Sequence, residues 1–463
     1  MFGFPTRTRN LYLSLPTKLP ADDVVSRDID MALNSFAPGH EIVKDKKVYK
    51  AVGIVDYEYN KNTHIIQPKF NSLNKYKLPL TRCKSCGYST ITSDEETVPC
   101  PVCGCEMETA KICSPLGFCV DYNMPAEDFN GSYDWYSPNS DIKLDCEGSL
   151  TECPPVKNLV IRNNIIPSQG LVHLVNDNNG EFYKLGKNSK GIYVSREAYD
   201  EEYGKSLQLE YESKYAFISS KSTGVLALTI AQTSDNICLS PLYGNNPNSY
   251  AVRAAFLSWG YLVRKSISHY LDIDSSELNV GFYISPLTQK AEVFFVEQLE
   301  NGAGYCNYLS GRRYSDVPLN AILLPLIKGG AIYEQLLKDD HKHGCTSSCY
   351  DCIRDYSNQG VHGLLDWRLG LDLAQLASSP TVNIDFTSEY WESYIFAVLR
   401  NMLTTQGYKI ERAENTLVGE DPFGENICMI HPLWSEDYCK SIQKKLGGSY
   451  KLISVFEMSK LNN

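Results

Sequence analysis

The stretch Cys345-Thr-Ser-Ser-Cys349-Tyr-Asp-Cys352-Ile-Arg-Asp-Tyr-Ser-Asn-Gln359 sets three thiols within eight residues. At x3 and x2 spacing they can point at one centre, and thiolates hold a tetrahedral Zn²⁺ at about 2.3 Å. Such a centre needs a fourth donor. Upstream, Cys306 follows the turn in Glu300-Asn-Gly-Ala-Gly-Tyr-Cys306, while His341 and His343 compete for the same place. The reading taken from the residues is a four-thiolate site of Cys306, Cys345, Cys349 and Cys352.

A second cluster lies further upstream. Cys83-Lys-Ser-Cys86 and Cys100-Pro-Val-Cys103 are two Cys-x2-Cys knuckles separated by a polar spacer of hairpin length. That is the zinc-ribbon pattern, with Cys83, Cys86, Cys100 and Cys103 as ligands. Cys105 duplicates a possible donor and is left out. Cys113, Cys119, Cys146 and Cys153 are irregularly spaced and read as buried single thiols. A redox Cys-x2-Cys pair usually stands alone at a helix N-terminus, whereas each pair here has companions that complete a metal shell. Two structural Zn²⁺ ions are therefore expected. Four thiolates leave no place for an activated water, so neither site is expected to hydrolyse anything.

The chain has 463 residues, 43% of them hydrophobic, which is enough apolar material for several ordered cores. Pro5 interrupts the start before any apolar run, so no signal peptide is expected, and no window approaches the ~20 apolar residues of a membrane-spanning helix. Clustered cysteines without an export signal point to metal rather than disulfides and to the cytoplasm. A net charge of −11 argues against a surface that grips phosphate everywhere. Between positions 41 and 84, however, ten basic residues stand against four acidic ones. Lys75, Lys77, Arg82 and Lys84 are the candidate phosphate contacts there, set against the plainer reading of a solvated charged face.

The pattern along the chain gives an α/β (α+β) multidomain protein. Residues 1–80 read as an α/β lead-in with a helix around Asp22 to Leu33, followed by a zinc ribbon over 81–122. A loop-rich linker spans 123–155 and includes Ser137-Pro-Asn-Ser and Cys153-Pro-Pro. Residues 156–378 form a mixed α/β zinc-binding domain. Its expected parts are a strand at Val225, a long helix from Tyr250 to Leu271, strands at Leu278 to Ile284 and Ala291 to Val296, helices between Val317 and Leu337, and an amphipathic helix after Leu364. Residues 381–463 are a last α/β segment, with a helix from about Tyr390 to Leu403 and strands near Ile427 and Leu452.

No Gly-x4-Gly-Lys-Ser/Thr phosphate loop is present; Gly180 and Gly186-Lys187-Asn188 are one residue too far apart and lack the hydroxyl. His341-Lys-His343 does not have the His-x-Lys order of a phosphodiesterase. In the C-terminal segment Glu389, Glu392 and Asp421 are acidic, but no acid-x-Lys follows Asp421. Downstream of the second cluster, Arg354, Tyr356, Asn358, Gln359 and His362 crowd a short stretch. Arg354, Tyr356 and His362 either contact phosphate and an unpaired base or serve caps and packing.

Glu300-Asn-Gly-Ala-Gly-Tyr-Cys306, the Cys345 to Gln359 stretch and Leu364-Leu-Asp-Trp-Arg-Leu together resemble the MrfA-type zinc-binding domain over roughly residues 215 to 378. That domain occurs at the C-termini of superfamily 2 helicases and in companion proteins of bacterial defence systems such as DISARM and Druantia. Ala37-Pro-Gly-His-Glu-Ile-Val-Lys-Asp-Lys-Lys-Val-Tyr-Lys and the ribbon look like the segment between motor and zinc domain in the large helicases of this group. Here Glu and Asn-Gly stand where the family has Asp and Gly-Gly before the turn. The resemblance implies the four-thiolate site and an association with DNA translocation, without the RecA-like motors. The expected function is a non-catalytic, two-zinc accessory subunit that binds DNA or a separate superfamily 2 helicase in anti-phage defence or DNA repair. An effector nuclease with its site in the C-terminal segment and a purely structural bridge are the alternatives.

Overall fold

The computed structural model describes residues 7–91, 99–131, 141–145, 149–164, 166–311, 318–413 and 415–460. Cys146, the Ser137-Pro-Asn-Ser loop and Val317 lie outside the described residues. The chain forms two compact units that interleave along the sequence: residues 1–100, 105–143 and 173–220 in one, and 101–104, 144–172 and 221–463 in the other.

The first unit is built on a large mixed sheet. Its order runs Val24–Asp28, Thr8–Tyr12, Phe118–Val120, Lys47–Ile54, Tyr193–Val194, Tyr183–Lys187, Glu210–Ser222, Met107–Cys113, Leu80–Cys83 and Ser89–Ile91. Leu11, Phe36, Phe118, Tyr183 and Phe217 fill one core, each side chain contributing about 1.5–3 kcal/mol on burial. Gly53 sits where strands Lys47–Ile54 and Tyr193–Val194 pair; a Cβ there would lie 2.2 Å from the Tyr193 carbonyl oxygen. The helix expected from Asp22 begins later, at Ile29–Ser35. Val24 and Val25, β-branched, pair instead as a strand with Thr8–Tyr12, and Asp28 caps the helix by accepting the Asp30 N–H.

In the second unit, an antiparallel sheet runs in the order Leu150–Glu152, Leu159–Asn164, Val225–Ile230, Ala291–Glu297 and Leu278–Ile284. Helix Ser249–Leu271 is buried almost all round, and helix Trp367–Ser378 lies beside it. Two glycines permit this layering. A Cβ on Gly260 would lie 2.4 Å from Val293 Cγ2, and one on Gly370 would lie 3.0 Å from the Ser258 backbone. The Ser258 hydroxyl also accepts the Asp366 N–H at 2.9 Å, fixing the start of the second helix.

Residues 381–460 continue the second unit. The helix expected from Tyr390 to Leu403 is present as Glu389–Ser393, a π-helical turn Tyr394–Leu399, and Arg400–Thr405. A four-stranded sheet follows, Lys409–Ala413, Thr416–Glu420, Asn426–Ile430 and Lys451–Ser454. Its last pair is parallel, so the chain must cross over between them, and helix Glu436–Leu446 makes the crossover. Asp372 on Trp367–Ser378 anchors this segment: Tyr390 Oη donates to it at 2.9 Å and Trp391 Nε1 at 3.0 Å. His431 Nε2 lies 3.1 Å from the same carboxylate but off the hydrogen-bonding direction, and its Nδ1 accepts the Leu433 N–H.

Candidate metal centres

The two Cys-x2-Cys knuckles close on one point. The ligand atoms of Cys83, Cys86, Cys100 and Cys103 all lie within 4.8 Å of one another, with the first three residues buried. Each knuckle ends on a glycine at positive φ, Gly87 at 69° and Gly104 at 73°. The left-handed conformation turns the chain back on itself, and glycine adopts it without a steric cost. Gly87 N–H donates to the Cys83 carbonyl at 2.9 Å, and Cys100 N–H to the Cys105 carbonyl at 2.8 Å. The Cys86 and Cys100 sulfurs are 3.5 Å apart. In a tetrahedral zinc–thiolate site the S···S separation is about 3.8 Å, so the donors are already near their bound spacing.

The second centre departs from the four-thiolate expectation. Cys345, Cys349 and Cys352 come together, with Cys345 Sγ 3.9 Å and Cys349 Sγ 3.6 Å from Cys352 Sγ. Their fourth partner is His341, not Cys306. Cys306 lies in helix Tyr305–Leu309, fully buried, with its thiol donating to the Phe295 carbonyl at 3.6 Å. Burial and the nearby Glu297 carboxylate push that thiol well above its ordinary pKa. His341 instead sits one helical turn before Cys345, whose N–H donates to the His341 carbonyl at 2.8 Å. The i, i+4 spacing puts imidazole and thiol on one face.

The imidazole itself is prepared for a metal. His341 Nδ1 is 2.9 Å from the Leu336 carbonyl, which fixes the proton on Nδ1 and leaves the Nε2 lone pair pointing inward. That Nε2 is buried and has no hydrogen-bond partner. An orphaned acceptor facing three thiols fits a zinc ligand, and the Leu336 carbonyl behind it orients the ring and makes Nε2 a better donor to a metal. Among the thiols Cys345 is pushed up and Cys352 down, to about 4, chiefly through the hydrogen bond between them. Three thiols and an imidazole at one centre, and four thiols at the other, fit two zinc ions. A cavity of about 410 Å³, lined in part by Lys338, Asp340, His341 and Cys349, borders the second centre.

Residues outside the ligand set hold the second centre in place. Arg368, with no exposed surface, donates to the carbonyls of Cys345 at 3.1 Å and Thr346 at 2.8 Å. Its guanidinium stacks on the rings of Trp367 and Tyr394. Trp367 meets the His341 ring edge-on at 5.2 Å, and Lys265 donates to the Asp351 carbonyl at 2.7 Å. Asp355 accepts from Arg264 and caps the turn Tyr356–Val361 in a capping box with Asn358. The sequence reading missed Arg368 and Lys265. It also missed Glu297, whose buried carboxylate accepts the N–H groups of Ala303, Gly304 and Cys306 and holds the Gly-Ala-Gly turn.

The candidate nucleic-acid residues fall into different environments. Lys75 and Lys77 are exposed. Arg82 is three-quarters or more buried and paired with Asp177, while Lys84 pairs with Glu108 and Glu181. Around the second centre, Arg354 donates to Ser348 Oγ at 2.8 Å and Tyr356 is 56% exposed. His362 Nε2 contacts the Asp355 carbonyl and Asn358 Oδ1, and burial lowers its pKa. Tyr350, 65% exposed on the knuckle itself, stacks edge-on against His362 and was not singled out from sequence. Among the acids weighed for a nuclease, Asp421 accepts the N–H groups of Phe423 and Glu425 in a turn, and Glu392 pairs with Arg412. Among the described residues neither belongs to a group that could hold a metal ion.

A mixed α/β chain with a ribbon tetrad and a His-Cys₃ knuckle thus carries a zinc-binding domain, and residues 259–353 match the family of the MrfA Zn-binding domain. The Druantia protein DruE of Escherichia coli (strain UMEA 4076-1) is 24% identical over 412 residues, covering 78% of this chain and 20% of its own length. Among solved structures, the DUF1998 helicase MrfA bound to DNA aligns with 80% of this chain and 34% of its own, at 9% identity and a TM-score of 0.37. The same helicase bound to DNA and AMPPNP gives 10% identity and a TM-score of 0.28 over 79% of this chain and 31% of its own. The chain therefore spans a fifth of the length of the curated relative and about a third of the solved helicase chains. No helix among the described residues is long and apolar enough to cross a membrane.

Proposed function

We propose that this chain is a two-zinc accessory module that works in the cytoplasm with a superfamily 2 helicase on DNA in bacterial anti-phage defence. The observation that carries the reading is the His341, Cys345, Cys349 and Cys352 centre, held from behind by Arg368 and bordered by Tyr350, Arg354 and Tyr356 on its surface side. A closed four-ligand centre supports a scaffolding role rather than hydrolysis, because no coordination position remains for an activated water. The zinc ions would order the two knuckles, each binding event contributing roughly 10 kcal/mol or more toward folding. The likeness to a Druantia protein supports the defence setting, and the missing phosphate loop supports a role without ATP turnover by these residues. The ligand roles of Cys83, Cys86, Cys100, Cys103, His341, Cys345, Cys349 and Cys352 belong to this proposal, as does DNA contact through Arg354, Tyr356 and His362.

The test is co-purification of the chain with the superfamily 2 helicase of its own locus, followed by ATPase assays of each alone and both together. The expected result is a stable complex, no turnover by this chain alone, and DNA binding that weakens steeply with salt. Efficient ATP hydrolysis by the isolated chain overturns the reading.

A further inference from the structure

A second surface, in the first unit, carries groups that neither zinc centre uses. Strands Tyr57–Asn60 and Ile65–Pro68 form a two-stranded ribbon that stands apart from the large sheet. Its turn is closed by Asn60 Oδ1, which accepts the N–H groups of Asn62 and Thr63. Tyr59 and Ile65 are 51% and 61% exposed, and Phe70, just past the ribbon, is 81% exposed. In the register Tyr59 pairs with Ile66 and Asn60 with Ile65, so Tyr59 and Ile65 face opposite sides of the ribbon, and Phe70 is the most exposed residue of the three.

The charge around them decides what kind of partner fits. Lys187 Nζ lies 5.6 Å from the centroid of the Phe70 ring, a cation–π contact that steadies the ring from one side. Gly191, in the turn after Lys187, approaches Pro68 of the ribbon, with its would-be Cβ 4.0 Å from the proline Cβ. Lys61 in the ribbon turn and Lys190 in the turn after Lys187 are exposed. Acidic groups are present but engaged: Asp56 pairs with Lys69, and Glu58 accepts from Gln67. Glu210 stands opposite Lys187 in the strand register.

We propose that the Phe70–Lys187 surface and the adjoining ribbon bind a single strand of nucleic acid, with a base stacked on Phe70 and the backbone tracked by Lys61, Lys187 and Lys190. Exposed aromatic faces interleaved with cations suit unpaired bases, because every base has a π face and every linkage a negative charge. A duplex hides those faces. The inference names a strand-binding surface remote in sequence from the zinc knuckle, so it stands or falls separately from the knuckle contacts proposed above.

The experiment measures binding of the zinc-loaded chain to a fluorescent oligothymidylate of about 20 nucleotides, longer than the ~4–16 that a single platform covers, and to a duplex of the same length. The Phe70→Ala variant should weaken oligothymidylate binding about tenfold or more and Phe70→Trp should retain it, with zinc content and thermal midpoint unchanged. Lys187→Met should weaken binding and lower the salt slope by about one. Equal affinity of Phe70→Ala and the parent chain overturns this surface while leaving DNA binding elsewhere intact. Equal losses on oligothymidylate and duplex overturn stacking. Loss of helicase co-purification with oligothymidylate binding preserved makes the surface a protein-docking site instead. Failure of the parent chain to bind any DNA overturns both this inference and the DNA contact in the proposed function.

Discussion

Arg368 Nη2 donates to the carbonyl oxygen of Cys345 at 3.1 Å, so a guanidinium with no exposed surface holds the first cysteine of the zinc knuckle. The same group pairs with Asp366 and lies over Tyr394, 3.9 Å from the ring centroid. One side chain therefore couples the metal centre, the cap of helix Trp367–Ser378 and the C-terminal segment. Arg368→Ala would leave Asp366 buried without its cation, remove the donor to the Thr346 carbonyl and leave the Cys345 carbonyl only the longer bond from Trp367 Nε1 at 3.4 Å. The expected cost is about 3–5 kcal/mol. Chemical denaturation should show that loss, and zinc analysis should show a weakened second site.

The identity of the fourth ligand gives a direct zinc count. His341→Ala should reduce bound zinc from about two ions per chain to about one, because three thiols remain at an open centre. Cys306→Ala should keep both ions and cost only the packing of a small buried side chain. Metal quantitation after exhaustive dialysis distinguishes them, and the opposite pattern would restore the four-thiolate reading.

His40 gives the stability a pH dependence. Burial lowers its pKa from 6.5 to about 4, so the folded chain keeps it neutral where the unfolded chain would protonate it. Between those values the unfolded state binds more protons, and stability therefore rises with pH. Acidification from pH 6.5 toward 4 should remove up to about 3 kcal/mol through this group. A His40→Gln variant should show a shallower loss of stability over that window in urea titrations at fixed zinc.

Arg82 separates a structural cation from a phosphate contact. Its partner Asp177 is almost fully buried, and burial already raises the Asp177 pKa against the pull of Arg82. Arg82→Ala should destabilise the first unit by about 3 kcal/mol by stranding a buried carboxylate. Lys77→Ala, at an exposed position, should leave stability within about 0.5 kcal/mol and change only DNA affinity. Paired unfolding and binding curves for the two variants check this.

Much of the second unit is legible in the sequence. The long helix, the strands at Val225, Leu278 and Ala291, and the helix after Leu364 follow periodicities that burial enforces locally. The strands Lys409–Ala413 and Thr416–Glu420 and the helix Glu436–Leu446 escaped, since short amphipathic runs rich in charge resemble loops. Tyr350 escaped as well, because exposure of an aromatic is a property of the folded surface.

The sequence by itself determined both metal knuckles. Cys83-x2-Cys86-Gly87 and Cys100-x2-Cys103-Gly104 carry their own turn chemistry, and Cys345, Cys349 and Cys352 are too close in the chain to avoid one another. Only the tertiary structure decided which of the competing groups completes the second centre and which carboxylate takes Arg82. The physical reason is range. Knuckle geometry is set by a few φ/ψ angles, whereas Cys306 is withdrawn by burial against Phe295 and by the Glu297 carboxylate that holds its turn, leaving the place to a histidine one helical turn away.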